Sequence, residues 1–524
     1  MTANVFHERN EPLLRPGATC WRASRATRAT LLVDGDEYFK ALRSALLQAR
    51  RQILIAGWDF DSRVHLPRAA GEPAEAAPEA LGELLGFLKR RDPALEIQVV
   101  RWDYHWFYSD DRELDTRSRL TELGIPFHDD ASHPITGCIH HKVVTIDGVL
   151  AFCGGIDLTH KRWDTCAHAV DDIRRQDPGG KPYIPVHDTQ LCVSGPIARE
   201  LSEYLIEHWP AAERPPIVEG ACELWPENLH VDFHNARVGI ARTLPALGTR
   251  ESVREIEAFY LQAIARVEHA IYMENQYFTS TRIARALAER FRSQPRLEGL
   301  LVGMDRPKTQ AELHTMGYGR SAFCSVLDEM GVGDRIPLVA ALSADTGINL
   351  HSKLAVFDDR WLTVGSANLN RRSMGFDVEC NLIVEATTSE QRTRIRELRN
   401  RLIAEHTGLN ADELAAALRT HGLTRLHELP ARSRRLVHID VQMRALEPNL
   451  GPLLAPIFDP ETPPSKPLLR PSSVRQSSVK SSRWIGSLLL IALIAVAAVT
   501  GSVVDGDFSG LSALQQMLST LLSG

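Results

Sequence analysis

The stretches HHKVVTIDGVLAFCGGIDL (residues 140–158) and HSKLAVFDDRWLTVGSANL (residues 351–369) carry one pattern twice. Each opens His-x-Lys and reaches Asp after four intervening residues: His140, Lys142 and Asp147, then His351, Lys353 and Asp358. Six more residues lead each copy to a pair of small ones, Gly154-Gly155 and Gly365-Ser366. Residues i and i+2 of an extended strand share a face, so each His stands beside its Lys. Two such strands brought together make a pocket of two imidazoles and two ammonium groups. A single His-x-Lys is ordinarily a satisfied surface pair; two copies with identical spacing and matching flanks are not.

Outward from the motifs the repetition continues. ALLQARRQILIAGW, ending at Trp58, aligns with AIARVEHAIYMENQ, ending at Gln276, each a helical pattern running into a strand-like apolar run. LEIQVVRW (residues 95–102) resembles LEGLLVGM (residues 297–304), and each follows a proline. Three matching units in one order mark an internal duplication. Strands alternating with helices predict α/β units and a largely parallel sheet in each half.

The residue set suits a phosphodiester. One neutral histidine can attack phosphorus while the other, protonated, hands its proton to the leaving oxygen. Two lysines neutralise the non-bridging oxygens as charge builds there, so no metal or other cofactor is called for.

The duplicated H-x-K-x4-D motif resembles that of the phospholipase D superfamily. The resemblance extends over roughly residues 28–405, through GGIDLTHKRWD, PVHDTQLCVSGP, IYMENQYF and GSANLNRRSMGFDVE, all similar to the phosphatidylcholine-hydrolysing, eukaryotic-type branch. It implies two duplicated α/β halves, residues 28–210 and 236–405, packed around one shared active site. His140 is implied as nucleophile and His351 as general acid. Lys142, Lys353 and Asn368 are implied contacts for phosphate oxygens, with Gly155 and Ser366 beside them. Asp147 and Asp358 are implied as supports of the motif rather than proton carriers. Each histidine needs an acceptor on its other ring nitrogen, and Asp164 and Glu379 are the candidates. Asp157 stands where the second half has Asn368, an asymmetry the same branch shares. The implied activity is hydrolysis of phosphatidylcholine or phosphatidylethanolamine to phosphatidic acid, with transfer to another alcohol as a second outcome. A cardiolipin synthase-like transferase and a nuclease on the same scaffold are the alternatives.

The rest of the 524 residues bounds these readings. A net charge of −6 argues against a dedicated nucleic-acid binder, so phospholipid is the expected partner and no nucleic acid is expected. Eight cysteines without a C-x-x-C pair speak against a zinc cage, and reduced thiols in a cytosol-facing domain are expected. RWDYHWFYSD (residues 101–110) is a candidate choline or acyl-chain pocket, whereas His128 and His133 read as loop residues. Past the second half, a helical extension (406–451) and a Pro/Ser/basic linker (452–483), expected to be flexible, precede residues 484–504, which hold no charge over 21 positions. That length predicts a transmembrane helix, because about 20 apolar residues cross a bilayer core. Lys480 and Arg483 before it, with Asp505 and Asp507 after it, place the large domain in the cytoplasm. Residues 505–524 read as a short amphipathic tail. Since the duplication supplies both halves of the site, a monomer suffices.

Overall fold

The computed structural model describes residues 12–68, 77–103, 115–134, 136–218, 220, 223–306, 316–439 and 459–462. The first half runs β1 (Arg22–Val33), α1 (Asp34–Gln48), β2 (Gln52–Gly57), α2 (Leu81–Arg91), β3 (Glu96–Trp102), α3 (Thr116–Glu122), β4 (Phe127–Asp130), β5 (Val143–Ile146), β6 (Leu150–Gly154), β7 (Thr189–Ser194) and α4 (Pro196–Glu207). The second runs β8 (Phe233–Leu244), α5 (Glu255–Arg266), β9 (Ala270–Asn275), α6 (Thr281–Ser293), β10 (Glu298–Gly303), α7 (Tyr318–Glu329), β11 (Leu338–Ser343), β12 (Lys353–Phe357), β13 (Trp361–Gly365), β14 (Glu379–Glu385) and α8 (Ser389–Thr407). The halves therefore begin ahead of the expected boundaries at 28 and 236.

Strand pairing follows the order β4-β3-β2-β5-β6-β7-β1-β8-β14-β13-β12-β9-β10-β11. Read outward from the β1–β8 joint, the two directions are the same, which is the duplication in three dimensions. The sheet is less parallel than expected. Only β2–β3, β3–β4, β9–β10 and β10–β11 pair in parallel, each pair linked through a helix. The motif strands form hairpins instead, β5–β6 and β12–β13, closed by tight turns at positive φ (Asp147 53°, Asp358 52°). A turn this short joins only antiparallel neighbours.

Alternation along the strands buries both faces. Ile53 and Ile55 of β2 pack under α1 and α2, while Leu54 and Ala56 join a central core shared by both halves. In the second half Ile271 and Met273 pack on the outer side, while Tyr272 faces the same central core.

Three expectations need correction here. His128 lies within strand β4 and pairs with Glu213, so it is not a loop residue. The extension after 405 is not wholly helical: α9 (Ala411–His421) is followed by β15 (Arg434–His438), which extends the sheet beside β11. Within the stretch expected to be a flexible linker, Asp459 is buried and accepts from Thr279 Oγ1 and the Arg372 amide, and Glu461 pairs with Arg254. Polar anchoring holds a segment whose composition alone reads as linker. Among the described residues no helix is long and apolar enough to cross a membrane. The predicted span 484–504 and the tail lie outside them.

Candidate active site

Both motifs sit on extended chain that leads into the inner strands of their half. His140 and Lys142 precede β5, while His351 precedes Lys353, the first residue of β12. Alternation holds across each: His141 points away and bonds Tyr204 (2.9 Å), and Ser352 points away to Glu274 (2.6 Å). Backbone pairing across the halves brings the two segments together. The His140 amide donates to Val378 O (2.8 Å), and the His351 amide donates to His187 O (2.8 Å). In each case the accepting carbonyl directly precedes an acidic residue.

Those acids hold the rings. His140 Nδ1 lies 3.0 Å from both Glu379 oxygens, and His351 Nδ1 lies 2.7 Å from Asp188 Oδ2. Each histidine is thus oriented through Nδ1 by a carboxylate from the opposite half. Glu379 was anticipated from sequence. Asp164 was not well placed: it binds His168 (3.0 Å), Arg175 (3.0 Å) and the Val186 amide (2.9 Å), and so ties down the loop after the first motif. Its place is taken by Asp188, whose signal was present in the repeat: DTQLCV (from Asp188) aligns with ECNLIV (from Glu379).

Gly155 and Ser366, expected to touch substrate, stand behind these carboxylates. A Cβ on Gly155 would come within 2.1 Å of Asp188 Oδ1, so only glycine fits. Ser366 is buried and donates its hydroxyl to Glu379. Asp147 accepts from the amides of Arg50, Arg51 and Gln52 at 2.8–2.9 Å, and Asp358 accepts from those of Glu268, His269 and Ala270 at 2.6–3.0 Å. Both therefore fasten the hairpin turn to the start of the neighbouring strand and do not reach the histidines' ring nitrogens. Asp358→Ala is expected to cost about 2–3 kcal/mol of stability, the worth of charge-assisted bonds to several amides. A urea midpoint lowered accordingly, with kcat per folded molecule little changed, is the expected readout.

The lysines are buried beside the rings. Lys142 donates to His140 O (2.7 Å) and pairs with Asp157 Oδ2 (3.2 Å). Lys353 donates to His351 O and lies 3.4 Å from Gln276 Oε1. Asn368, at the position of Asp157 in the second half, is buried, and its Oδ1 has no hydrogen-bond partner among the described residues. Burial pushes the Lys353 ammonium down to about 7, with Asp188 opposing the shift and Lys142 adding to it. Burial, reinforced by Lys142 and Lys353, holds His140 well below the ordinary histidine value. The Glu379 carboxyl is pushed up to about 8, by burial and then by Asp377. The lowered proton affinity of His140 keeps its ring neutral at physiological pH.

Of the aromatic run after β3, Arg101 pairs with Asp129 and Trp102 stacks on Trp58 (centroids 5.7 Å apart), while residues 104–110 lie outside the described residues. His133 is buried, with Nε2 3.0 Å from Trp102 Nε1. The seven described cysteines are free thiols, six of them buried.

The duplicated α/β fold thus joins one His-x-Lys segment from each half at a buried site. Residues 260–400 match the family profile described as cardiolipin synthase, PLD-like domain. The chain is 25% identical over 490 residues to phospholipase D1 of Saccharomyces cerevisiae, covering 73% of this chain and 29% of the yeast protein. It is 23% identical over 388 residues to cardiolipin synthase B of Salmonella typhi, covering 71% of this chain and 80% of that protein. The fold matches the crystal structure of phosphatidylserine synthase from Haemophilus influenzae, with TM-score 0.51, 12% identity, and 72% and 88% of the two chains covered. By these matches the chain resembles the phospholipase D superfamily, with the PLD-like profile falling on residues 260–400. It spans less than a third of the length of the yeast relative.

Proposed function

We propose that this protein cleaves the distal phosphodiester bond of a phospholipid through a phosphohistidine on His140. The observation that carries the reading is the crossed pairing of His140 with Glu379 and of His351 with Asp188, beside two buried lysines. His140 Nε2 attacks phosphorus as the P–O bond to the head group breaks, and His351 Nε2–H delivers its proton to the departing oxygen. Lys142, Lys353 and the amide of Asn368 stabilise the equatorial oxygens. Water then gives a proton to His351 and attacks the P–N bond, which releases phosphatidic acid and restores both rings. An alcohol can replace water in this second step. The similarity to cardiolipin synthase B, across most of that protein's length, supports phosphatidyl transfer as the second reading.

Phosphatidylcholine or phosphatidylethanolamine is the proposed substrate. A helix at 484–504 would tether the domain to the cytoplasmic face of its membrane and raise its effective concentration there.

Purified full-length protein in mixed micelles of phosphatidylcholine and a primary alcohol, with EDTA present, tests the proposal. Phosphatidic acid and the phosphatidyl-alcohol should form, in a ratio that separates hydrolysis from transfer. Cleavage of a nucleic-acid diester without lipid turnover would overturn it.

The charge states also predict a pH profile. His140 must be neutral, and its proton affinity is lowered, so the acidic limb of kcat/KM should fall below pH 6.5. Lys353 must be charged, and its proton affinity is also lowered, so kcat/KM should decline as pH rises above about 7. The bound diester anion stabilises the ammonium, so the decline in kcat should lie at higher pH. Lys353→Arg, charged throughout, should remove the lysine's share of that limb from whatever activity it retains and leave the share set by loss of the His351 proton.

A further inference from the structure

A second polar cluster lies behind the histidines, and the phosphoryl-transfer steps give it no task. Asp34 opens α1, His168 lies in the loop after the first motif, His187 precedes Asp188, and Glu405 comes from the last turn of α8. All four are buried, and one donor atom from each falls within 4.8 Å of the other three. His187 Nδ1 lies 2.7 Å from Glu405 Oε1 and 3.1 Å from Asp34 Oδ1. His168 Nε2 lies 3.0 Å from Glu405 Oε1 and 3.6 Å from Asp34 Oδ2. Donors about 2.0–2.1 Å from a tetrahedral zinc ion stand about 3.3 Å apart, inside this range.

Two independent observations point to a ligand. The outer nitrogen of each histidine is held by a further buried carboxylate, His168 Nδ1 by Asp164 (3.0 Å) and His187 Nε2 by Glu274 (2.8 Å). Such backing fixes the tautomer that turns the inner lone pair toward a metal. In addition, Asp34 Oδ2, His187 Nδ1 and Glu405 Oε2 are buried without a hydrogen-bond partner. His187 Nδ1 has two carboxylate oxygens close by and makes a well-directed bond to neither. Atoms arranged around a common centre face that centre and not each other. The rival arrangement, a network of imidazolium–carboxylate pairs, directs His168 at Glu405 and sets His187 against Glu274, Asp34 and Glu405, and metal content separates the two.

We propose that Asp34, His168, His187 and Glu405 form a structural divalent-metal site of the zinc type. With four buried protein donors it has no open position, so its role is to hold the fold and not to activate water. It fastens α1, the loop after the first motif and the segment carrying Asp188 to α8 of the other half. The free energy of metal binding then counts toward folding.

The test begins with full-length protein purified without chelator and analysed for metal by mass spectrometry. About one zinc per chain is expected. Because a closed site exchanges slowly, metal is stripped in mild denaturant with a strong chelator. The Tm should then fall by several degrees and return on adding Zn²⁺ alone. Co²⁺ in its place should show visible bands of tetrahedral intensity, absent in His168→Gln and Glu405→Gln. Should those variants fail to fold, the wild-type metal content and Co²⁺ spectrum still decide. No bound zinc, no uptake on titration and a Tm indifferent to Zn²⁺ would overturn the site and leave a proton-balanced network in its place. Metal content is read without substrate, so this outcome is independent of the lipid assay.

Discussion

His140→Ala is expected to lower kcat by about 10⁴-fold or more, because it removes the atom that bonds to phosphorus and leaves only the lysine cradle. His351→Ala should lose a similar factor on a natural lipid, whose head-group alkoxide leaves poorly without a proton. The two variants part company on a phosphatidyl ester of p-nitrophenol. That leaving group needs no proton, so His351→Ala should release a burst of nitrophenolate and accumulate the phosphohistidine. His140→Ala should show no burst. The direction rests on His140, held neutral by burial and by the two neighbouring ammonium groups. If only the His140 variant gives a burst, the roles are reversed.

Glu379→Gln and Asp188→Asn are expected to cost about 10²–10⁴ in kcat with little change in KM. A carboxylate accepts the Nδ1 proton and so presents Nε2 to the substrate. An amide in its place can donate to Nδ1, which moves the ring proton to Nε2 and blocks attack from His140. Because Glu379 belongs to the second half and Asp188 to the first, each substitution disables the histidine of the opposite half. In a wild-type background Glu379→Gln should therefore abolish the nitrophenolate burst, whereas Asp188→Asn should spare it. A rise in KM alone would indicate a merely structural role.

Most of this site was legible because the duplication repeats its spacing: His140 and His351, Lys142 and Lys353, and the backbone anchors Asp147 and Asp358. Glu379 was legible as an acid soon after the second motif. Asp188 was missed because the nearer acid, Asp164, answered the same description. The register of β7 against β6 shows which of the two reaches across, and in the sequence only the alignment of DTQLCV with ECNLIV carries a trace of it. Gly155 and Ser366 were read as substrate contacts from the resemblance alone. Here they admit the orienting carboxylates. The sheet was expected to be more parallel than it is, since helix–strand alternation dominates the first part of each half. The hairpins lie in the motifs themselves, where chemistry and not turn composition drew the reading. The cluster of Asp34, His168, His187 and Glu405 comes from four distant segments, so ligand spacing could not reveal it.

The most direct test is to identify the covalent intermediate. Full-length protein is mixed with a short-chain phosphatidylcholine, quenched in alkali during turnover, digested and analysed by peptide mass spectrometry. A phosphatidyl group on the peptide containing His140, absent in His140→Ala and enriched in Asp188→Asn with the p-nitrophenyl ester, is the predicted result. Steady lipid turnover that persists in His140→Ala, or an adduct found on His351 alone, would contradict it.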